Sequence, residues 1–151
     1  MPVIHFHQTT SATPEEFLAA LTDFGPGRAT VFANGDDDYL QVHDLGPEEA
    51  DVTEGSHGVW ERLHYDWSDP DRVVMKTTDS NVWGGESGHI YTFERLPDGR
   101  TDIDVVIVRE PKNLKGRLIG LVLKRPLIKS FGKTVSAVEA RNDRARTAQL
   151  N

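Results

Sequence analysis

A chain of 151 residues with 17 basic and 24 acidic side chains has the length of one domain and carries a net charge of −7. The absence of cysteine excludes disulfides, thiolate metal sites and cysteine nucleophiles, and the acidic balance makes a DNA-binding surface an unpromising reading. The longest apolar run, 118–123, is far short of the ~20 residues that span a bilayer. The first residues lack the basic-then-apolar pattern of a signal peptide, so a cytoplasmic location is expected.

The mean charge hides an asymmetry. Residues 1–110 hold seven basic against 22 acidic groups, a net of −15, and residues 111–151 hold ten against two, a net of +8. No Asp or Glu falls between Glu110 and Glu139. Either a basic helix lies against an acidic sheet domain, or the segment meets an anionic surface or partner.

Alternation of Ile4, Phe6 and Gln8 with Val3, His5 and His7 predicts a strand over 3–9. Thr13 as cap, Pro14 at the first helical position and Glu16 three residues after the cap predict a helix, whose stripe is Phe17, Leu18, Leu21 and Phe24. Gly25-Pro26-Gly27 ends it, 28–34 reads as an ambiguous second short helix, and 34–38 as a polar turn. Six further strands are expected at 39–44, 50–54, 58–67, 72–80, 87–95 and 102–109, separated by turn chemistry at Gly46-Pro47, Gly55-Ser56, 68–71, Gly84-Gly85 and 97–99. Such short connections imply an antiparallel meander. A long helix is expected from about Asn113, with Leu114, Leu118, Leu121, Ile128, Phe131, Val135 and Val138 on one stripe and Pro126 kinking or breaking it. The tail, polar from about residue 143, is expected to fray. This order predicts an α+β domain: a seven-stranded curved antiparallel sheet around a long C-terminal helix, with one or two short helices after the first strand and room for a cavity between sheet and helix.

Candidate site residues follow from the faces. On the strand 58–67, Glu61 shares the more apolar row with Val59, Leu63, Tyr65 and Trp67, which points a carboxylate inward. Arg109 shares a face with Ile103, Val105 and Ile107 and is its candidate partner. Tyr65, Trp67, Trp83, Tyr91 and Phe93 read as core or as the lining of a cavity for an apolar ligand, with His89 on the face of Tyr91 and Phe93. Leu118, Leu121, Ile128 and Phe131 are the helix's expected contribution to that lining. His5 and His7 at i, i+2 can bind a metal, but no third ligand stands at a fixed spacing, so no metal site is assigned. No nucleophile elbow, zinc-protease helix or phosphate loop is present, and no cofactor is expected.

The order of elements resembles the helix-grip superfamily, the START-like or SRPBCC group of lipid-transfer domains, birch-pollen-allergen-like proteins and polyketide cyclase/dehydrase-like proteins. The matching pieces are 13–17 on the first helix, 60–67 on the fourth strand, 88–93, 101–106, and the helix end Val138-Glu139-Ala140-Arg141-Asn142. The resemblance covers nearly the whole chain, 1–151, as one START-like ligand-binding domain, and includes no catalytic signature. It implies binding or transport of a hydrophobic small molecule, a lipid, polyketide or similar, in an internal cavity. Two alternatives stand beside it: a cyclase/dehydratase-type enzyme acting on a polyketide-like substrate, and an interaction protein of the ribosome or toxin–antitoxin kind using the basic C-terminal helix. Lys115, Arg117, Lys124 and Arg125 are expected to lie off the apolar stripe and to offer weak, salt-sensitive contact with an anionic membrane surface.

Overall fold

The computed structural model describes residues 3–32 and 37–150. Strand β1 (Val3–Thr10) leads into α1 (Pro14–Leu21) and the single turn α2 (Arg28–Val31). Strands β2 (Gln41–Leu45), β3 (Glu49–Ser56), β4 (Val59–Asp66), β5 (Arg72–Ser80), β6 (Trp83–Arg95) and β7 (Thr101–Pro111) follow, and the chain ends in α3 (Leu114–Val122) and α4 (Lys124–Leu150). The seven strands form one antiparallel sheet in the order β1-β7-β6-β5-β4-β3-β2. This is the helix-grip architecture expected from the sequence.

Local chemistry explains most boundaries. Thr13 Oγ1 accepts from Glu16 N–H at 3.1 Å while the Glu16 carboxylate accepts from Thr13 N–H at 3.0 Å, so the capping box opens α1. The core lies between the concave face of the sheet and the helices: Phe17, Tyr91, Phe93 and Phe131 meet with ring centroids 5.5–6.4 Å apart, and Val135 and Val138 seat α4. Glu139 ties α4 to the end of β1, accepting from Thr10 Oγ1 at 2.8 Å and Ser11 N–H at 3.3 Å.

Several expectations are corrected. Of the polar turn at 34–38, residues 34–36 lie outside the described residues, and Asp37–Tyr39 is a 3₁₀ turn, so β2 starts at Gln41 and not at residue 39. The β3–β4 turn is His57-Gly58, both at positive φ, because Ser56 still pairs with Val59 and leaves a two-residue hairpin. Gly84-Gly85 is not a turn but lies inside β6, at an irregularity in its pairing with β7. Gly85 has φ +56°, and a Cβ there would meet the Glu110 carboxylate, which accepts from Glu86 N–H at 3.0 Å. The break expected from Pro126 is present, as two helices that meet at Leu123. Pro126 has no N–H for the Val122 carbonyl, and its ring crowds that carbonyl, so the chain restarts as α4. The tail expected to fray is helical to Leu150, where Arg141–Asp23 at 3.2 Å and Arg146–Glu16 at 2.9 Å bind it to the α1 region.

Candidate functional site

A cavity of about 340 Å³ opens between the concave face of β3–β7, the α1–α2 region and the α3–α4 junction. Its apolar walls include Leu21 and Phe32 on one side, Leu63, Met75 and Trp83 on the sheet, and Ile119, Leu123, Pro126 and Leu127 where the helix breaks.

Two enclosed ion pairs stand in this lining. Arg109 grips Glu61 with both terminal nitrogens, Nη1 to Oε2 at 2.9 Å and Nη2 to Oε1 at 3.1 Å. Thr77 Oγ1 donates to Glu61 Oε2 at 2.9 Å. His89 Nε2 lies 2.9 Å from Arg109 Nη2, which can only donate, so the imidazole accepts there. The guanidinium also lies 5.2 Å from the Trp83 ring centre. Burial alone would push the Glu61 carboxyl up, but the Arg109 guanidinium holds it well below the usual carboxylate range.

The second pair joins α2 to β3. Arg28 Nε donates to Glu54 Oε1 at 2.7 Å, and its guanidinium is held between the Phe24 and Phe32 rings at 4.5 and 4.4 Å. Arg28 Nη2 donates to the Tyr65 hydroxyl at 3.2 Å, and that hydroxyl donates to Glu54. Burial, joined by the Glu54 charge, pushes the Tyr65 phenol well above its ordinary range.

Tyr91 stands between the pairs. Its ionisation is opposed first by burial and then by Glu54 and Glu61, and favoured by Arg109 and Arg28, so one hydroxyl feels all four charges and stays protonated. It has no hydrogen-bond partner among the described residues, in contrast to the Tyr65 hydroxyl. A neutral, unpartnered phenol in a largely apolar cavity is a ready donor or acceptor for a ligand oxygen.

The lining thus brings together Glu61, Leu63, Tyr65, Trp83, His89, Tyr91 and Arg109 from the sequence-derived set. The other candidates stand elsewhere. Trp67 is half-buried past the end of β4, its indole N–H donating to the Pro47 carbonyl at 3.0 Å. Phe93 and Phe131 are core, packed on Phe17. Ile128 is half-buried outside the lining. Leu118 and Leu121 face solvent, because α3 turns Gly116, Ile119 and Leu123 inward instead: Gly116 sits so close that a Cβ would meet the Val82 carbonyl at 2.5 Å. The Arg28–Glu54 pair escaped sequence reading. Its one signal was an isolated Arg in the apolar stretch around α2, which without the β3 register had no visible partner.

The chain has a helix-grip fold with a cavity between the sheet and the C-terminal helices. Three solved structures share the architecture: a Thermus thermophilus protein (TM-score 0.72, 15% identity, 95% of this chain and 99% of that one), a START superfamily protein from Mycobacterium smegmatis (0.69, 11%, 95% and 98%) and an aromatase/cyclase from a Streptomyces species (0.70, 14%, 95% and 94%). At such identities the likeness is one of fold. No family profile and no curated protein matches the chain.

Proposed function

We propose that the protein binds a hydrophobic small molecule carrying at least one oxygen function, of lipid or polyketide type, in the cavity beneath the α3–α4 junction. The observation that carries this reading is the unpartnered Tyr91 hydroxyl held between two neutralised ion pairs in apolar walls. At about 340 Å³ the space is at the small end of the ~300–1,000 Å³ usual for small-molecule sites. It suits a compact ring system or a single chain better than a two-chain lipid. Neighbours of the same fold described as START superfamily and aromatase/cyclase proteins support the ligand class.

The cyclase/dehydratase alternative needs a group free to move a proton. Both Glu61 oxygens are occupied and the carboxylate is a weak base, and His89 Nε2 accepts from Arg109, so proton transfer would fall to His89 Nδ1, which is buried without a hydrogen-bond partner, or to the Tyr91 hydroxyl. Native mass spectrometry of protein purified from its own host tests the reading, and is expected to detect a co-purifying apolar molecule. Tyr91→Phe breaks no protein hydrogen bond, so it should leave the melting temperature nearly unchanged and weaken binding about tenfold, the loss of roughly one hydrogen bond. Failure of apolar probes to bind, or binding indifferent to Tyr91→Phe and to Trp83 quenching, would remove the site.

The reading extends to how the ligand arrives. Leu114, Leu118, Leu121 and Val122 lie on one face of α3 and are 59–81% exposed. Of the cations around them, Lys112 approaches Asp79 at 3.8 Å and Lys115 binds the Gly58 carbonyl, while Arg117, Lys124 and Arg125 have no ion pair among the described residues. Unpaired cations beside naked leucines, directly over the cavity, fit docking on an anionic membrane surface.

A further inference from the structure

On the opposite face of the sheet, the β1–β7 edge brings together groups that the sequence keeps far apart. His5 and His7 alternate away from the buried Ile4 and the half-buried Phe6, and antiparallel pairing sets His7 opposite Asp104 and Thr9 opposite Asp102. His5 Nε2 lies 2.6 Å from Asp104 Oδ1, and His7 Nε2 lies 3.1 Å from the same oxygen. His7 Nδ1 lies 3.0 Å from Asp102 Oδ2. One ligand atom from each of His5, His7 and Asp104 falls within 4.8 Å of the other two.

His7 Nδ1–H donates to Asp102, which in a neutral imidazole leaves the Nε2 lone pair, 3.1 Å from Asp104 Oδ1, available to a metal ion. A carboxylate on one ring nitrogen with the other nitrogen aimed at a shared point is how metal-binding histidines are oriented.

We propose that His5, His7 and Asp104 form a surface site for a divalent transition-metal ion of the Zn²⁺ kind, with Asp102 as the positioning residue for His7. Two imidazoles and a carboxylate favour such ions over Mg²⁺ or Ca²⁺, which prefer all-oxygen shells. Bonds of about 2.0–2.2 Å at tetrahedral angles separate neighbouring ligand atoms by roughly 3.4 Å. The 3.1 Å pair is close to that spacing, and the 2.6 Å pair reaches it by rotation of the exposed His5 ring. Water completes the shell. The third ligand was invisible in the sequence because it lies 99 residues from His5 and arrives only through strand pairing.

Isothermal titration of the full untagged chain with Zn²⁺, in a weakly coordinating buffer at neutral pH, tests this site. One saturable site per chain is expected, with no comparable signal from Mg²⁺. His5→Ala, His7→Ala and Asp104→Asn should each weaken it at least tenfold. Asp102→Asn should weaken it about tenfold while leaving all three ligands in place, and Asp102→Glu should restore much of the loss. His43→Ala and His64→Ala, on β2 and β4, should leave it intact. The His side chains are exposed and the Asp side chains half-buried, and melting curves of the metal-free variants check that each is folded. Absence of saturable Zn²⁺ binding would overturn the proposal. Binding that survives His7→Ala, or that Mg²⁺ reproduces, would overturn it as well. Ligand binding in the cavity is unaffected by either outcome, so the two proposals stand or fall separately.

Discussion

Glu61 and Arg109 are a buried pair whose worth lies in being complete. Removing one partner strands a charge in the cavity wall, which costs roughly 3–5 kcal/mol, whereas replacing both with apolar groups of similar size is far milder. Urea denaturation should therefore show Arg109→Met as strongly destabilised and Glu61→Leu/Arg109→Met as closer to wild type; a double variant worse than Arg109→Met would contradict the pairing. The acid response follows from the same contact. The folded carboxyl lies below its ordinary value of 4.5, so the stabilisation is complete above about pH 4.5 and is lost as the pH falls through the lower folded value. Glu61→Gln should be less stable than wild type at neutral pH, with the gap closing as the pH drops below 4.5. A gap independent of pH would show that Glu61 contributes by shape alone. Of this constellation, the facing of Glu61 and Arg109 was legible in strand alternation, and so were His89 and Tyr91. The Thr77 hydrogen bond and the Arg28–Glu54–Tyr65 group were not, because they depend on register across β3, β4 and β5 and on the position of a single-turn helix.

At the scale of elements, the break between α3 and α4 decides what the cavity is. Periodicity alone runs Leu114, Leu118, Leu121 and Ile128 into one buried stripe, and Pro126 signals a fault without saying how far α3 rotates beyond it. Gly116 settles the rotation. Lacking a side chain, it lets α3 lie against the Val82 carbonyl and the Pro111 ring, and that contact turns Ile119 and Leu123 toward the cavity and the leucines outward. Gly116→Ala would place a methyl 2.5 Å from a carbonyl oxygen that is part of the backbone. It should cost about 1–3 kcal/mol, as overpacking does, against the ~1 kcal/mol that Ala gains over Gly in a helix. Hydrogen exchange should rise in α3 and at Val82 while the β6–β7 ladder stays protected. A more stable variant with unchanged exchange would mean that α3 does not depend on this contact. The same limit explains the strand errors. Residues 72–80 were placed to the residue, since Val73, Met75 and Thr77 alternate cleanly inward. The β3–β4 turn was read two residues early and Gly84-Gly85 as a turn, because glycine marks hairpins and strand irregularities alike.

For the molecule as a whole, the charge division has a spatial meaning that counting could not supply. If the +8 segment existed to neutralise the −15 remainder, its cations would sit in ion pairs. The tail does so through Arg141 and Arg146, but Arg117, Lys124, Arg125, Lys129 and Lys133 do not among the described residues. Near an anionic membrane each exposed cation is worth about 1 kcal/mol, and the attraction decays within ~8 Å at physiological salt. Charge alone therefore gives weak docking. In the docking proposed for α3 the exposed leucine face would supply the apolar component, since an amphipathic interfacial helix sinks its apolar side roughly 5–10 Å into the headgroup boundary. Among the described residues no helix is long and apolar enough to cross a membrane. Co-sedimentation with anionic phospholipid vesicles should be clear at low salt, reduced at physiological salt and absent with neutral vesicles. Leu118→Ser/Leu121→Ser should remove the salt-resistant part, and Arg117→Glu/Lys124→Glu the salt-sensitive part, each without loss of thermal stability because all four side chains are exposed. Binding that ignores lipid charge, or that survives both double substitutions, would exclude α3 as the docking face.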